Sequence, residues 1–218
     1  MKFEDCLYKD VCENECKDAC VRYLEMKYML KHSNIPKIKQ RVNQLIPDDC
    51  DIDAFMRLAE IRDDIVDFTE NGNSLYIYST TCGNGKTTWS IKLLLQYFNE
   101  KWAGNCFTKR GIFINVPTFL YKCKDVISHP DPEFESMKQD LFNVDIVVWD
   151  DIAASNISNY DFTTLLAILD YRVLNEMSNI YTSNIVPSDL ERYLGTKLSS
   201  RINEGIKVFN LGGVTGNR

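Results

Sequence analysis

One stretch constrains this chain more than any other. Residues 74–88 read Ser-Leu-Tyr-Ile-Tyr-Ser-Thr-Thr-Cys-Gly-Asn-Gly-Lys-Thr-Thr. The apolar run Leu75-Tyr76-Ile77-Tyr78 has the length of a buried strand, Gly83 and Gly85 mark a loop, and the amphipathic run from Trp89 to Phe98 predicts a helix reaching about residue 100. Strand, glycine loop and helix in that order build a cradle for an anion. Loop N–H groups and the helix N-terminus converge on one spot, and the helix dipole favours negative charge there. Lys86 adds a mobile cation for the β- and γ-phosphates of a nucleotide, and Thr87 a hydroxyl for Mg²⁺.

The pattern G-x-x-x-x-G-K-[ST] is met except at its first position, where Thr80 stands. A bare Gly-Lys followed by Ser or Thr arises by chance in roughly one chain in ten of this size, so context has to carry the reading. That context is a second stretch about sixty residues on, the apolar strand Ile146-Val147-Val148-Trp149 closing in Asp150-Asp151. In a nucleotide-hydrolysing phosphate-loop protein, a carboxylate at the end of such a strand holds Mg²⁺ opposite the loop hydroxyl. A carboxylate beside it orients or deprotonates the attacking water. Two acidic residues ending a buried strand are common by themselves. At this distance downstream of a phosphate loop the pair points to Mg-dependent ATP hydrolysis.

Composition narrows the class. Lys and Arg number 25 against 31 Asp and Glu, for a net charge of −6. That balance argues against binding nucleic acid by charge alone, while leaving room for a local basic groove. The two histidines, His32 and His129, lie in polar, turn-like surroundings, so a general base has to be a carboxylate. No apolar run approaches the ~18 residues of a membrane span, and the start, Met1-Lys2-Phe3-Glu4-Asp5-Cys6, lacks the apolar centre of a signal peptide. The expectation is a cytoplasmic protein whose eight cysteines stay reduced.

Four of those cysteines, Cys6, Cys12, Cys16 and Cys20, precede a helical pattern over residues 21–30. Their spacing suggests a metal site, but one continuous helix would put Cys12 and Cys20 about 12 Å apart along its axis. Thiolates at ~2.3 Å from one zinc do not reach across that distance. Three readings stay open. Cys6 and Cys12 arrive from a loop and complete a structural zinc site, the four hold an iron–sulfur cluster, or they pack reduced as small apolar side chains. Pro36 then breaks the helix and places a boundary between residues 34 and 35.

Beyond the boundary, residues 51–70 predict one amphipathic helix, stopped by Asn71-Gly72-Asn73. Strands near residues 111–116, 145–151, 179–184 and 206–211 alternate with helices that start at Pro117 and cover about 133–142, 161–176, 187–194 and 196–202. Such alternation implies a parallel sheet with helices on both faces. Thr182-Ser183-Asn184 then ends a strand at the edge where open α/β sheets bind ligands, with Asn184 a candidate for the γ-phosphate or the attacking water. Arg201, beyond that strand, is a candidate arginine finger toward a neighbouring subunit, though a lone Arg is usually a solvated charge. Lys122 and Lys124 beside Phe119 and Tyr121 mix charge with aromatic faces as single-strand grooves do, and the helix's own core accounts for the aromatics equally well.

Taken in order, these residues resemble a family. Gly85-Lys86-Thr87, Asp150-Asp151, a long helix with Asp170-Tyr171-Arg172, then Thr182-Ser183-Asn184, Ser200-Arg201-Ile202 and Gly216-Asn217-Arg218 are similar to the AAA+ ATPases of the DnaC/DnaI-type helicase-loader group. The resemblance runs from about residue 34 to the C-terminus, and the small cysteine-bearing form is most similar to loaders carried by phages of low-GC Gram-positive bacteria. It implies a P-loop α/β fold of AAA+ (ASCE) type: a five-stranded parallel sheet in the order 5-1-4-3-2, without a helical lid, after a small cysteine-bearing helical module. Residues 1–34 would then be the helicase-binding module and 35–218 the ATPase domain.

The same resemblance implies ATP and Mg²⁺ as cofactors. Walker A would supply Cys82, Gly83, Asn84, Gly85, Lys86, Thr87 and Thr88, with Arg218 as a second sensor. Thr87 and Asp150 would hold the metal, Asp151 and Asn184 the water, and Arg201 the neighbour's γ-phosphate. The implied function is ATP-dependent loading of a hexameric replicative helicase onto single-stranded DNA during replication, with self-association through the ATPase domains. Thr80 in place of Gly, and Asp151 where many AAA+ proteins carry Glu, point to modest ATP affinity and slow hydrolysis. Two alternatives stand beside it: a transposition-helper ATPase of the same clade, and a non-catalytic adaptor that binds ATP and bridges two proteins.

Overall fold

Successive residues of the strands face opposite helical layers, and this alternation sorts the whole core. The computed structural model describes residues 6, 12–13, 20–40, 45–101, 107–154 and 157–212. Five strands, β1 (Leu75–Tyr78), β2 (Gly111–Asn115), β3 (Ile146–Asp150), β4 (Ser178–Ser183) and β5 (Lys207–Asn210), pair in parallel in the order β2-β3-β4-β1-β5. Read from the opposite edge, that order is β5-β1-β4-β3-β2. Leu75, Ile77, Phe113, Ile146, Val148, Ile180 and Phe209 belong to one buried cluster. Their neighbours Tyr76, Ile112, Ile114, Val147, Trp149 and Tyr181 belong to another. A period of two residues on a sheet covered on both sides produces this division.

The first cluster is completed by α1 (Val21–His32), α2 (Ile52–Asp63), α3 (Ile65–Glu70) and α4 (Lys86–Glu100). The second is completed by α5 (Val116–Ser128), α7 (Asn159–Leu174) and α8 (Leu190–Asn203), with α6 (Pro132–Asp140) packing Phe134 and Met137 against it. Local chemistry marks several helix starts. Asn115 accepts from Thr118 N ahead of Pro117, and Asp131 accepts from Glu133 N and Phe134 N ahead of α6. At Gly111 a Cβ would come within 2.6 Å of Leu94 Cδ1, so glycine lets β2 start against α4.

Two boundaries differ from the sequence reading. The expected helix over 51–70 is broken at Asp64, which leaves helical geometry at φ −116°, ψ 28°. The proposed division after residue 34 falls inside a packed contact. Met26 and Met29 of α1 share the cluster of α4, Arg22 donates to Asn99 Oδ1 of α4 at 2.7 Å, and Phe113 N of β2 donates to Ser33 O at 2.7 Å. The helix of the expected module thereby shares the core of the α/β domain, with Met26 and Met29 buried in the same cluster as α4.

Of the four N-terminal cysteines, Cys16 lies outside the described residues. Cys6 is buried, and Cys12 and Cys20 are half-buried. Among the described residues no group of three or more His, Cys, Asp or Glu side chains is placed to hold a metal ion. Among the same residues no helix is long and apolar enough to cross a membrane.

Candidate nucleotide site

Parallel pairing brings the carboxyl ends of β1, β3 and β4 together. Tyr78 pairs with Ser183 and Trp149 with Tyr181, so Asp150 comes beside Thr182 and the phosphate loop rises from the end of β1. Ser79 N continues the ladder to Ser183 O at 3.2 Å.

The loop is shaped from within. Gly83 and Gly85 take φ of 81° and 82°, left-handed values that favour glycine. Asn84 is buried between them, and its Nδ2 lies 2.7 Å from Ser79 Oγ, 2.5 Å from Thr81 Oγ1 and 3.1 Å from Leu211 O. Lys86 Nζ donates across the loop to Thr81 O at 3.3 Å. Thr80 is exposed and its φ is not positive, so the loop keeps this shape with a side chain where the common pattern has Gly. Cys82 and Gly83 are exposed at the tip.

Helix α4 begins at Lys86, and its first intrahelical bond runs from Trp89 N to Gly85 O at 2.8 Å. The N–H groups of Lys86, Thr87 and Thr88 thus have no carbonyl within the helix, and the N-cap residue, Gly85, supplies no side chain to cap them. They head a 15-residue helix, an arrangement that favours an anion at this end.

Opposite the loop, Asp150 Oδ1 accepts from Thr87 Oγ1 at 2.7 Å and from Thr182 Oγ1 at 2.7 Å. Asp151 follows at φ 58°, and its N–H donates to Thr182 Oγ1 at 3.0 Å. Burial pushes the Asp151 carboxyl above the usual carboxylate range, the Asp150 charge adds to this, and Lys86 opposes it. Burial likewise lowers the Lys86 ammonium, against Cys82, Asp151 and Asp150, which favour its charge. A hydroxyl and a carboxylate in contact at the mouth of an anion site are hard oxygen donors. That set suits Mg²⁺, which takes one or two protein oxygens and fills its remaining positions with water and phosphate.

The remaining candidates separate. Asn184 is exposed, one residue past the end of β4. Arg201 is held within its own chain, Nε to Asp170 Oδ1 at 2.6 Å and a terminal nitrogen to Glu204 Oε2 at 3.0 Å. Arg218 lies outside the described residues. On α5 the two lysines of the suggested basic groove are paired within the chain. Lys122 is paired with Asp125 and Asp131 at 3.2 Å each, Lys124 with Asp161 at 2.8 Å, and Phe119 is buried, leaving Tyr121 as the exposed aromatic. Thr182 was visible only as a polar residue ending a strand, because its partners are set by the β3–β4 register.

No protein-family model matches the chain, and no curated protein matches it. Solved structures do. The crystal structure of the DnaC helicase loader aligns at a TM-score of 0.66 and 20% identity, over 80% of this chain and 99% of that one. The crystal structure of DnaI aligns at 0.67 and 17%, over 82% and 95%. The replication initiator DnaA bound to AMPPCP and single-stranded DNA aligns at 0.58 and 17%, over 84% of this chain and 49% of that one. At such identities the likeness speaks for the fold alone: a five-stranded parallel α/β fold shared with the solved structures of the DnaC helicase loader, DnaI and DnaA.

Proposed function

We propose that this chain is an ATP-dependent loader of a hexameric replicative helicase, acting to place it on single-stranded DNA. The observation that carries the chemistry is the Thr87–Asp150 contact at the mouth of a glycine-shaped anion site. Likeness in fold to DnaC and DnaI supports the choice of cargo, and DnaA solved with AMPPCP and single-stranded DNA supports a nucleotide and a DNA strand as ligands of such a fold.

In this reading the N–H groups at the head of α4 and the Lys86 ammonium bind the phosphates. Bound Mg²⁺ supplies a positive charge that offsets charge developing on the phosphate oxygens. Thr87 and Asp150 are the residues that would hold it. Asp151 accepts the proton of a water attacking the γ-phosphorus. As the new O–P bond forms, the bond to the bridging oxygen breaks and its electron pair leaves with ADP. The raised basicity of Asp151 favours that proton transfer, and its short side chain keeps turnover slow. Asn184 orients the water, and Arg201 reaches the γ-phosphate of a neighbouring copy after leaving Asp170. Residues before the ATPase core grip the helicase.

Two measurements test this together. ATP binding by the wild type with Mg²⁺ should be in the micromolar range, and Lys86→Ala should weaken it by about tenfold or more and abolish steady-state turnover. Mixing the chain with a hexameric helicase should give a complex whose mass depends on ATP. Absence of nucleotide binding overturns the site. ATP-dependent binding to a transposase instead of a helicase redirects the cargo, and binding without turnover leaves an adaptor.

A further inference from the structure

The hydroxyl of Thr182 serves two neighbouring acidic residues at once. The side chain is fully buried. Its single proton goes to Asp150 Oδ1 at 2.7 Å, and a lone pair accepts the N–H of Asp151 at 3.0 Å. A buried threonine is satisfied by any nearby backbone carbonyl, so the choice of these partners is informative. Two further bonds press the same turn onto β4: Ile152 N to Thr182 O at 2.9 Å, and Ser183 Oγ to Ile152 O at 2.7 Å. The turn needs such restraint, because Asp151 and Ala153 take φ of 58° and 65°, a region side chains rarely occupy.

The consequence reaches the phosphate loop. Asp150 Oδ1 accepts from both Thr87 and Thr182. With a donor on each side, the carboxylate plane is fixed before any ligand arrives. From the nucleotide-site reading above, on which this rests, we infer that Thr182 is the positioning residue of the acidic pair. It sets the plane of the Asp150 carboxylate against Thr87, and it fixes the backbone from which the Asp151 carboxylate projects. Thr182 touches neither nucleotide nor metal and acts through the two aspartates.

Thr182→Val keeps the shape and removes both hydrogen bonds, whereas Thr182→Ser keeps the hydroxyl. The readout is ATP affinity with Mg²⁺ and with EDTA, alongside steady-state turnover. Thr182→Val should lose about tenfold of the affinity that Mg²⁺ adds, and about tenfold in kcat, with affinity in EDTA within about twofold of the wild type. Thr182→Ser should recover most of both. Equal losses with Mg²⁺ and EDTA would mean a purely structural role and overturn the inference, as would an unchanged Thr182→Val or an unrescued Thr182→Ser. If Thr182→Val does not fold, Thr182→Ala against Thr182→Ser gives the same contrast. A wild type that binds no nucleotide in either condition is a separate outcome, which removes the nucleotide site itself.

Discussion

Arg172 carries a charge into the centre of the molecule and spends it on backbone. Its Nε donates to Asn179 Oδ1 at 2.8 Å, and its terminal nitrogens to the carbonyls of Leu141, Val144 and Ser178 at 2.8, 3.0 and 2.7 Å. The fork thereby ties the entry of β3 to the entry of β4. Burial lowers its pKa to about 10, with Tyr181 and Asp145 opposing, so it stays charged at neutral pH. Arg172→Met strands these acceptors, and urea denaturation should show a loss of about 3–5 kcal/mol, with Arg172→Lys intermediate. The sequence offered no hint of this, since Arg is seldom fully buried and the acceptors come from distant segments. Lys86, Thr87 and Asp150 were legible for the converse reason. Each sits at a fixed place in a local strand-to-loop or strand-end frame, whereas Thr182 acquires its meaning only from strand register.

Among the helices, α7 shows how a start can be written locally and still be coupled to a neighbour. Asp161 Oδ2 accepts from Ser158 N at 3.0 Å while Asp161 N donates to Ser158 Oγ at 3.3 Å, closing a capping box, and Oδ2 also pairs with Lys124 of α5 at 2.8 Å. Burial opposes ionisation of Asp161, but Lys124 and Ser158 prevail and hold the carboxyl below its ordinary value. A carboxyl with a lower pKa in the fold than in the unfolded chain stabilises above the unfolded value, about 3.9. Asp161→Asn should therefore lower stability by about 1 kcal/mol from pH 8 down to about pH 5. The deficit should shrink below about pH 4, as denaturation at a series of pH values would show. The start was read near residue 161 rather than at 159, because the box is a side-chain device without apolar signal. The break within α8 was legible, since Gly195 takes φ 78°, ψ 163°, a conformation essentially confined to glycine. The break at Asp64 was not, since neither Gly nor Pro marks it.

At the scale of the molecule, strand and helix alternation was enough to anticipate a parallel sheet covered on both faces, and pairing order came only with the resemblance. Helix α1 precedes the division read from Pro36 yet packs Met26 and Met29 against α4, a contact that local apolar spacing does not declare. A chain starting at residue 35 loses Met26 and Met29, each 4% exposed. Their removal should cost about 3–5 kcal/mol and about 10 °C in Tm by calorimetry. The pairing of Arg201 with Asp170 and Glu204 has a consequence of its own. In the proposed assembly, contact with a neighbour is an exchange of anions, and its strength is a difference between two similar attractions. If that assembly forms, loss of the γ-phosphate would return the guanidinium to Asp170 and Glu204, so hydrolysis would set a time limit on each union between copies.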